Sequence, residues 1–408
     1  MENITFKRNV FLILFMLLCS VTSVYADNDG LITQQITINI TEPGTLSKRI
    51  SESKKNLITN LKLKGTINID DILYIRELAG CYTGLSGAIS PGNLHSLDIS
   101  ETKLESNFSG DFRYFYFPDR AGEILYAGYK SHYYYSSGYC FAGLTKLENI
   151  NLGYASDIGE SMFRGCKNLV SVELKGYIHK VDNYAFEGCT SLKIFPFDVV
   201  YEDFGYHAFG ECTSLTSVSF PKEMRKIGGF NGCTNLTTIV FPDSLETIYA
   251  DAFADCTGLK SLIFPNGLER ISSCAFKGCK NIKSIYLPSK LTSIGYEAFS
   301  GCTGVKAIYA FMEMPAATDD KTFSEIDKKS CTLYIPQNTY MDYFLAKGWD
   351  EFENIVEFDP TGIDAVPTNN GAKEVSRYTV DGQQLSVPTK GLNIVKYSDG
   401  TTRKVMVP

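Results

Sequence analysis

Cysteine is the residue type in this 408-residue chain best suited to chemistry, and there are twelve of them. Two, Cys274 and Cys279, stand in the stretch "CAFKGC" with four residues between them. Such a pair is half a zinc site, a redox couple or a disulfide, depending on what the fold brings beside it. The four histidines (His95, His132, His179, His207) are scattered with no ligand spacing. No nucleophile elbow, HExxH, Walker loop or GxGxxG is present, so the usual local signatures of acyl transfer, zinc hydrolysis and phosphate cradling are missing. Acidic pairs such as Asp319-Asp320 read as solvated loop charges. The run Asp27-Asn28-Asp29-Gly30 lacks the later ligands of a calcium loop. These residues imply no catalytic site, no metal and no cofactor. Tyrosine is the type in excess, with 25 against a single Trp, which points to an adhesive surface.

The elements that position the cysteines follow from their register. Cys166, Cys189, Cys212, Cys233, Cys256, Cys279 and Cys302 each follow a Phe by three residues, as in "DAFADCTGLKSLIFP" and "CAFKGCKNIKSIYLP". The period is 23 residues, with one coil of 21 where Ile227-Gly228-Gly229-Phe230 replaces a longer segment. An earlier copy, 140–152, carries Leu144 in the cysteine position. A fixed period in the twenties means a solenoid with one supersecondary unit per coil. Leu236-x-x-Ile239-x-Phe241-Pro242 alternates inward apolar with outward variable residues and predicts a strand with one buried face, stopped by Pro. Leu245 and Ile248 return to the core, and Ala-Phe-x-Gly-Cys makes the bend before the next strand. Side chains in one column point the same way, so the ladder cysteines are expected to be small buried apolar spacers rather than disulfides. Leu144 in that column agrees. Cys274 falls outside the column and is read as a local substitution at an exposed position.

This consensus resembles the BspA-like (Treponema-pallidum-type) leucine-rich repeat, LxxIxLPxxLxxIxxxAFxxC, of bacterial surface proteins, over residues 140–310. The resemblance implies a leucine-rich-repeat solenoid, β-rich, with one strand of a parallel sheet per coil of about 23 residues and capped ends. Ile58, Leu94 and Phe112 begin segments that look like earlier, irregular rungs, and residues 27–139 form an N-terminal cap carrying a Tyr-rich insertion. Residues 311–360 resemble a closing cap in which Trp349, Phe352, Ile355 and Phe358 seal the last rung. Residues 361–408 read as a small β-domain with Asp-Gly turns at 381–382 and 399–400, and resemble a sorting- or anchoring-like C-terminal domain.

Residues 1–26 read as a secretory signal: a short basic start, an apolar run from Val10 and small residues before a cut at Ala26. Removing Lys7, Arg8 and Glu2 takes 39 basic and 46 acidic side chains to 37 and 45, a net charge of −8. An exported acidic chain with no basic stripe is not expected to bind nucleic acid, and no transmembrane segment is expected in the mature chain.

Function is therefore expected on variable surface. One outward column of the sheet reads Tyr114, Asn149, Ser171, Ile194, Ser217, Thr238, Ser261, Ser284, Ala307, mostly small hydroxyls of a solvated face. The second reads Tyr116, Asn151, Glu173, Pro196, Ser219, Val240, Ile263, Tyr286, Tyr309 and turns apolar over its last four rungs. Exposed Val240, Ile263, Tyr286 and Tyr309 form a patch that either binds a partner or lies under the C-terminal cap or residues 311–330. Residues 112–141 are dense in tyrosine beside Ser and Gly, as recognition loops are. Tyr114, Tyr116, Tyr133, Tyr134 and Tyr135 are its candidates. The family resemblance implies a non-catalytic surface or secreted adhesin for host or bacterial macromolecules. A glycan-binding protein of a polysaccharide uptake system and an envelope scaffold are the alternatives. The partner is expected to be an extracellular protein or a glycan.

Overall fold

Each coil is built from three short sides, and the sequence explains all three. The computed structural model describes residues 30–83, 88–104 and 140–359, with strand segments at 115–116, 124–125, 374–379, 384–385, 391–397 and 402–407. The first side is the strand of the consensus. Asn149–Gly153, Ser171–Leu174, Ser217–Ser219, Thr238–Val240, Ser261–Ile263, Ser284–Leu287, Ala307–Ala310 and Thr332–Pro336 follow one another as rungs of a parallel solenoid. Register is strict, with Ser284↔Ala307, Ile285↔Ile308 and Tyr286↔Tyr309. The whole array has about 12 turns. Its N-terminal rungs are Ile36–Ile40, Asn60–Ile67 and Ser96–Leu104, paired in parallel in that order.

Proline ends the strand because it offers no N–H to the ladder. The carbonyls of Pro242, Pro265 and Pro288 instead accept the N–H three residues on, from Leu245, Leu268 and Leu291. The chain then runs back along the second side, where Lys226–Ile227, Thr247–Ile248, Arg270–Ile271 and Ser293–Ile294 form a second parallel sheet. Leu245, Ile248, Leu268 and Ile271 are fully buried there.

The third side is the Ala-Phe-x-Gly-Cys bend. Two of its residues take the left-handed conformation. Gly165, Gly188, Gly232, Gly278 and Gly301 have φ between 70° and 73°, which removes the Cβ penalty at that point. Glu211 and Asp255 occupy the same position at 58° and 57°. The residue two before the Phe is also left-handed: Ser161, Tyr184, His207, Asp251, Cys274 and Glu297 lie between 52° and 57°. Alternating the hand turns successive N–H groups toward the next coil. Thus Tyr184 donates to Tyr206 O, Phe186 to Ala208 O and Gly188 to Gly210 O at 2.7–2.9 Å. The bends form a hydrogen-bonded ladder of their own.

Two columns run through the core beside the buried leucines and isoleucines of the strands. Phe141, Phe163, Phe186, Phe209, Phe230, Phe253, Phe276, Phe299 and Phe323 stack with centroids 5.1–5.9 Å apart and planes within 13°. That offset spacing suits rings stacked on strand-like rungs about 4.8 Å apart. Beside it runs the cysteine column, every member fully buried.

Both ends of the solenoid are closed. At the N-terminal side the helix Ile69–Leu78 starts with a capping box between Asn68 and Asp71. The buried Asp71 carboxylate also accepts from Gly44 N and Leu46 N at 2.7 and 2.9 Å. At the C-terminal side Trp349 and Phe352 are buried, and Phe323 meets the Trp349 ring at 4.9 Å. Ile355 and Phe358 are half-buried in the last strand, Asn354–Phe358, with Phe358 edge-on to Phe311. The segments 374–379, 384–385, 391–397 and 402–407 form an antiparallel sheet.

Candidate functional site

The strand register places Tyr286 and Tyr309 in one outward column, and continues it to Tyr334 and Val356. The three rings stack face to face, 4.6 Å apart between Tyr286 and Tyr309 and 4.5 Å between Tyr309 and Tyr334, nearly parallel. The expectation of a fully exposed patch is corrected here. Tyr309 is only 4% exposed, and Val240, Ile263 and Tyr286 are half-buried. Rungs one strand apart bring identical side chains into contact, so each ring covers its neighbours' faces. Ser284, in the first outward column, is also buried rather than solvated. Burial raises the pKa of both Tyr286 and Tyr309. The surface offered is therefore a rigid ridge of tyrosines, continued by Ile263 on one side and by the exposed Val356 on the other.

Tyr334 belongs to this ridge and was not among the residues singled out by sequence. Its coil lacks the cysteine marker: Thr322-Phe323-Ser324-Glu325-Ile326 places Ile326 where the others carry Cys. The strand motif Leu333-Tyr334-Ile335-Pro336 was the available signal. Of the insertion candidates, Tyr114, Tyr133, Tyr134 and Tyr135 lie outside the described residues, as does the side chain of Tyr116, whose backbone pairs with Ile124.

The thiols do not form a reactive site. All eleven cysteines from Cys81 to Cys331 are free, and only Cys274 is partly exposed. Each column member donates its S–H to a carbonyl of the preceding coil: Cys189 to Phe163 O at 3.1 Å, Cys212 to Phe186 O at 3.2 Å, and so on to Cys302 and Phe276 O. The same Phe186 carbonyl accepts Cys189 N, so the thiol fills its second lone pair. The column is thus more than an apolar spacer. Desolvation pushes Cys166, Cys233 and Cys302 up to about 12 and Cys189, Cys212, Cys256 and Cys279 well above the ordinary value. Among the described residues no cluster of three or more His, Cys, Asp or Glu is placed to hold a metal, and no helix is long and apolar enough to cross a membrane.

The chain matches the model of the BspA-type leucine-rich repeat region in six copies, over residues 134–231 and 228–342. No curated protein matches it. Among solved structures it is similar to a leucine-rich repeat protein from Bacteroides ovatus, with 21% identity over 56% of this chain and 61% of that one and a TM-score of 0.44. The chain therefore spans less than two thirds of that protein. It is also similar to the leucine-rich repeat protein of T. pallidum, with 29% identity over 41% of this chain and 69% of that one at a TM-score of 0.31. The pneumococcal vaccine antigen PcpA shares 14% identity over 76% of this chain and 82% of that one, at 0.35. With the family model covering half of its length, a period of 23 residues and a parallel solenoid built on it, the chain belongs to the BspA-type leucine-rich repeat family.

Proposed function

We propose that this chain is a non-catalytic binding protein of the bacterial surface or surroundings, an adhesin that recognises host or bacterial surface macromolecules through the outer face of its solenoid. The observation that carries this reading is the ridge of Tyr286, Tyr309 and Tyr334 with Ile263 and Val356 at its ends. Tyrosines held by contact on a hydrogen-bonded sheet lose little rotamer freedom when a partner docks, so contact area is gained at low entropic cost. Because the ring faces are stacked on one another and Tyr309 is buried between its neighbours, the ridge offers the outer edges of Tyr286 and Tyr334. That geometry suits a flat protein partner better than sugar rings, which would need free faces. The export signal read at residues 1–26 and the family membership support a location outside the cytoplasm.

Adhesion of the full mature chain to purified extracellular-matrix glycoproteins and to fixed epithelial cells tests this. The Ile263→Glu/Val356→Glu double variant places charge at both ends of the ridge, on the rungs beside Tyr286 and Tyr334, and keeps all three rings. Its adhesion is expected to fall at least tenfold, with the thermal midpoint unchanged. Adhesion by neither protein, or equal adhesion by both, would overturn the reading.

A further inference from the structure

A second surface, separate from the tyrosine ridge, combines highly exposed aromatic rings with a largely apolar groove that carries polar side chains on one wall. The coil after Ser171–Leu174 departs from the repeat. Ile194 meets Ser171 only as an isolated bridge, Pro196 follows, and Phe197–Val199 makes a 3-10 turn. This opens a groove of about 430 Å³ above Val172 and Phe195. Its polar wall is Asn151, Glu173 and Lys175, and Ile194, 62% exposed, forms part of its rim. Immediately beyond the strands that floor it stand Tyr154 and Tyr177, 82% and 75% exposed, the most exposed large aromatic side chains among the described residues. They occupy equivalent places in successive coils, 23 residues apart. The Tyr154 ring lies over Gly176 of the next coil, where a Cβ would meet Tyr154 Cδ1 and Cε1 at 3.5 Å, an ordinary contact.

We propose that this groove and its two tyrosines form a binding site for a neutral carbohydrate chain. The negative face of an aromatic ring attracts the partly positive C–H face of a sugar, and Tyr154 and Tyr177 present faces where Tyr286, Tyr309 and Tyr334 do not. Sugar hydroxyls both donate and accept, and the wall supplies an amide, a carboxylate and an ammonium group. One Glu and one Lys balance in charge, which favours a neutral sugar over an acidic one. An added peptide strand is disfavoured, because Asn151 and Glu173 already pair with each other across the floor and Pro196 brings no N–H. The volume falls within the range of small-ligand sites.

The test is calorimetric titration of the full mature chain with neutral linear hexasaccharides of glucose, xylose, mannose and galactose, and with a hexagalacturonate as the acidic control. At least one neutral hexasaccharide is expected to bind, more tightly than the galacturonate. The Tyr154→Ala/Tyr177→Ala variant is expected to bind it at least tenfold more weakly, and Glu173→Ala several-fold more weakly. Ile263→Glu is expected to leave this binding unchanged, which separates the site from the ridge. Both tyrosines are so exposed that the fold survives their removal, and an unchanged thermal midpoint verifies this. No binding to any neutral hexasaccharide, equal binding by the double variant, or loss on Ile263→Glu would each overturn the proposal.

Discussion

A thiol that donates to a carbonyl of the coil before it does two things that an alanine or a leucine cannot do together. It fills a small space beside the phenylalanine stack, and it satisfies a lone pair that the backbone leaves open. Complete burial and a pKa pushed up by desolvation, to about 12 at Cys166 and Cys302, make these thiols poor nucleophiles, since the thiolate is the reactive form. The native mature chain is therefore expected to react at one thiol, Cys274, when titrated with a disulfide reagent at pH 8, and at all eleven after denaturation. Cys274→Ala should abolish the native reaction. Two or more fast thiols in the folded protein would contradict the hydrogen-bonded column. The column itself was legible in the sequence because its period survives in seven coils. The thiol's partner was not legible, because Leu144 in the same position suggests that any apolar group suffices. Apolar residues at the two ends of the array, Leu144 and Ile326, say little about the coils inside it, where a preceding carbonyl must be satisfied.

At the scale of the element, the bend is the most constrained part of the coil. Two left-handed residues in most bends aim the amides at the next coil, and glycine holds the second position in most coils. Glu211 stands there in one coil, exposed and at φ 58°. A non-glycine residue in this conformation costs roughly 1–2 kcal/mol, partly offset by glycine's greater loss of chain entropy on folding. Glu211→Gly is thus expected to stabilise the chain by about 0.5–1 kcal/mol. Gly165→Ala provides the reverse case without a steric contribution, because its new Cβ would meet nothing within 4 Å; it should cost about 1 kcal/mol. Urea midpoints at constant slope measure both, and a stabilising Gly165→Ala would remove the backbone account. Strand and bend were both readable from the consensus, since Leu-x-x-Ile-x-Phe-Pro and Ala-Phe-x-Gly-Cys report periodicity and turn chemistry directly. The mutual burial of Tyr286, Tyr309 and Tyr334 was not, because alternation tells which side of a sheet a residue faces but not whether its neighbours stack over it. The groove beside Pro196 was missed for a related reason: it arises where one coil breaks the pattern.

Across the whole molecule, each coil touches only its neighbours, so cooperativity depends on what spans the array. The nine-ring phenylalanine stack does this without a break, and Phe230 sits at its centre, as densely surrounded by other rings as its neighbour Phe209. It stacks on Phe209 and Phe253 at 5.2 and 5.6 Å and meets Phe197, Phe204 and Phe220 within 5.7 Å. It also lies in the short coil, where two residues are missing from the bend, although strand pairing and the bend ladder continue through it. Trp349, the single tryptophan, is buried in the C-terminal cap and donates to Ala316 O at 2.8 Å, so its fluorescence reports that end alone. Removing the ring by Phe230→Ala should cost about 3–5 kcal/mol at the centre of the array. If coupling passes from coil to coil, the loss falls on the coils around position 230 and reaches the cap only weakly. In a urea titration of Phe230→Ala the circular-dichroism transition is then expected to move to lower denaturant and broaden. The Trp349 fluorescence transition should stay near its wild-type midpoint. A common shift of both signals would mean that the solenoid unfolds as one unit, with the caps rather than the stack setting its cooperativity.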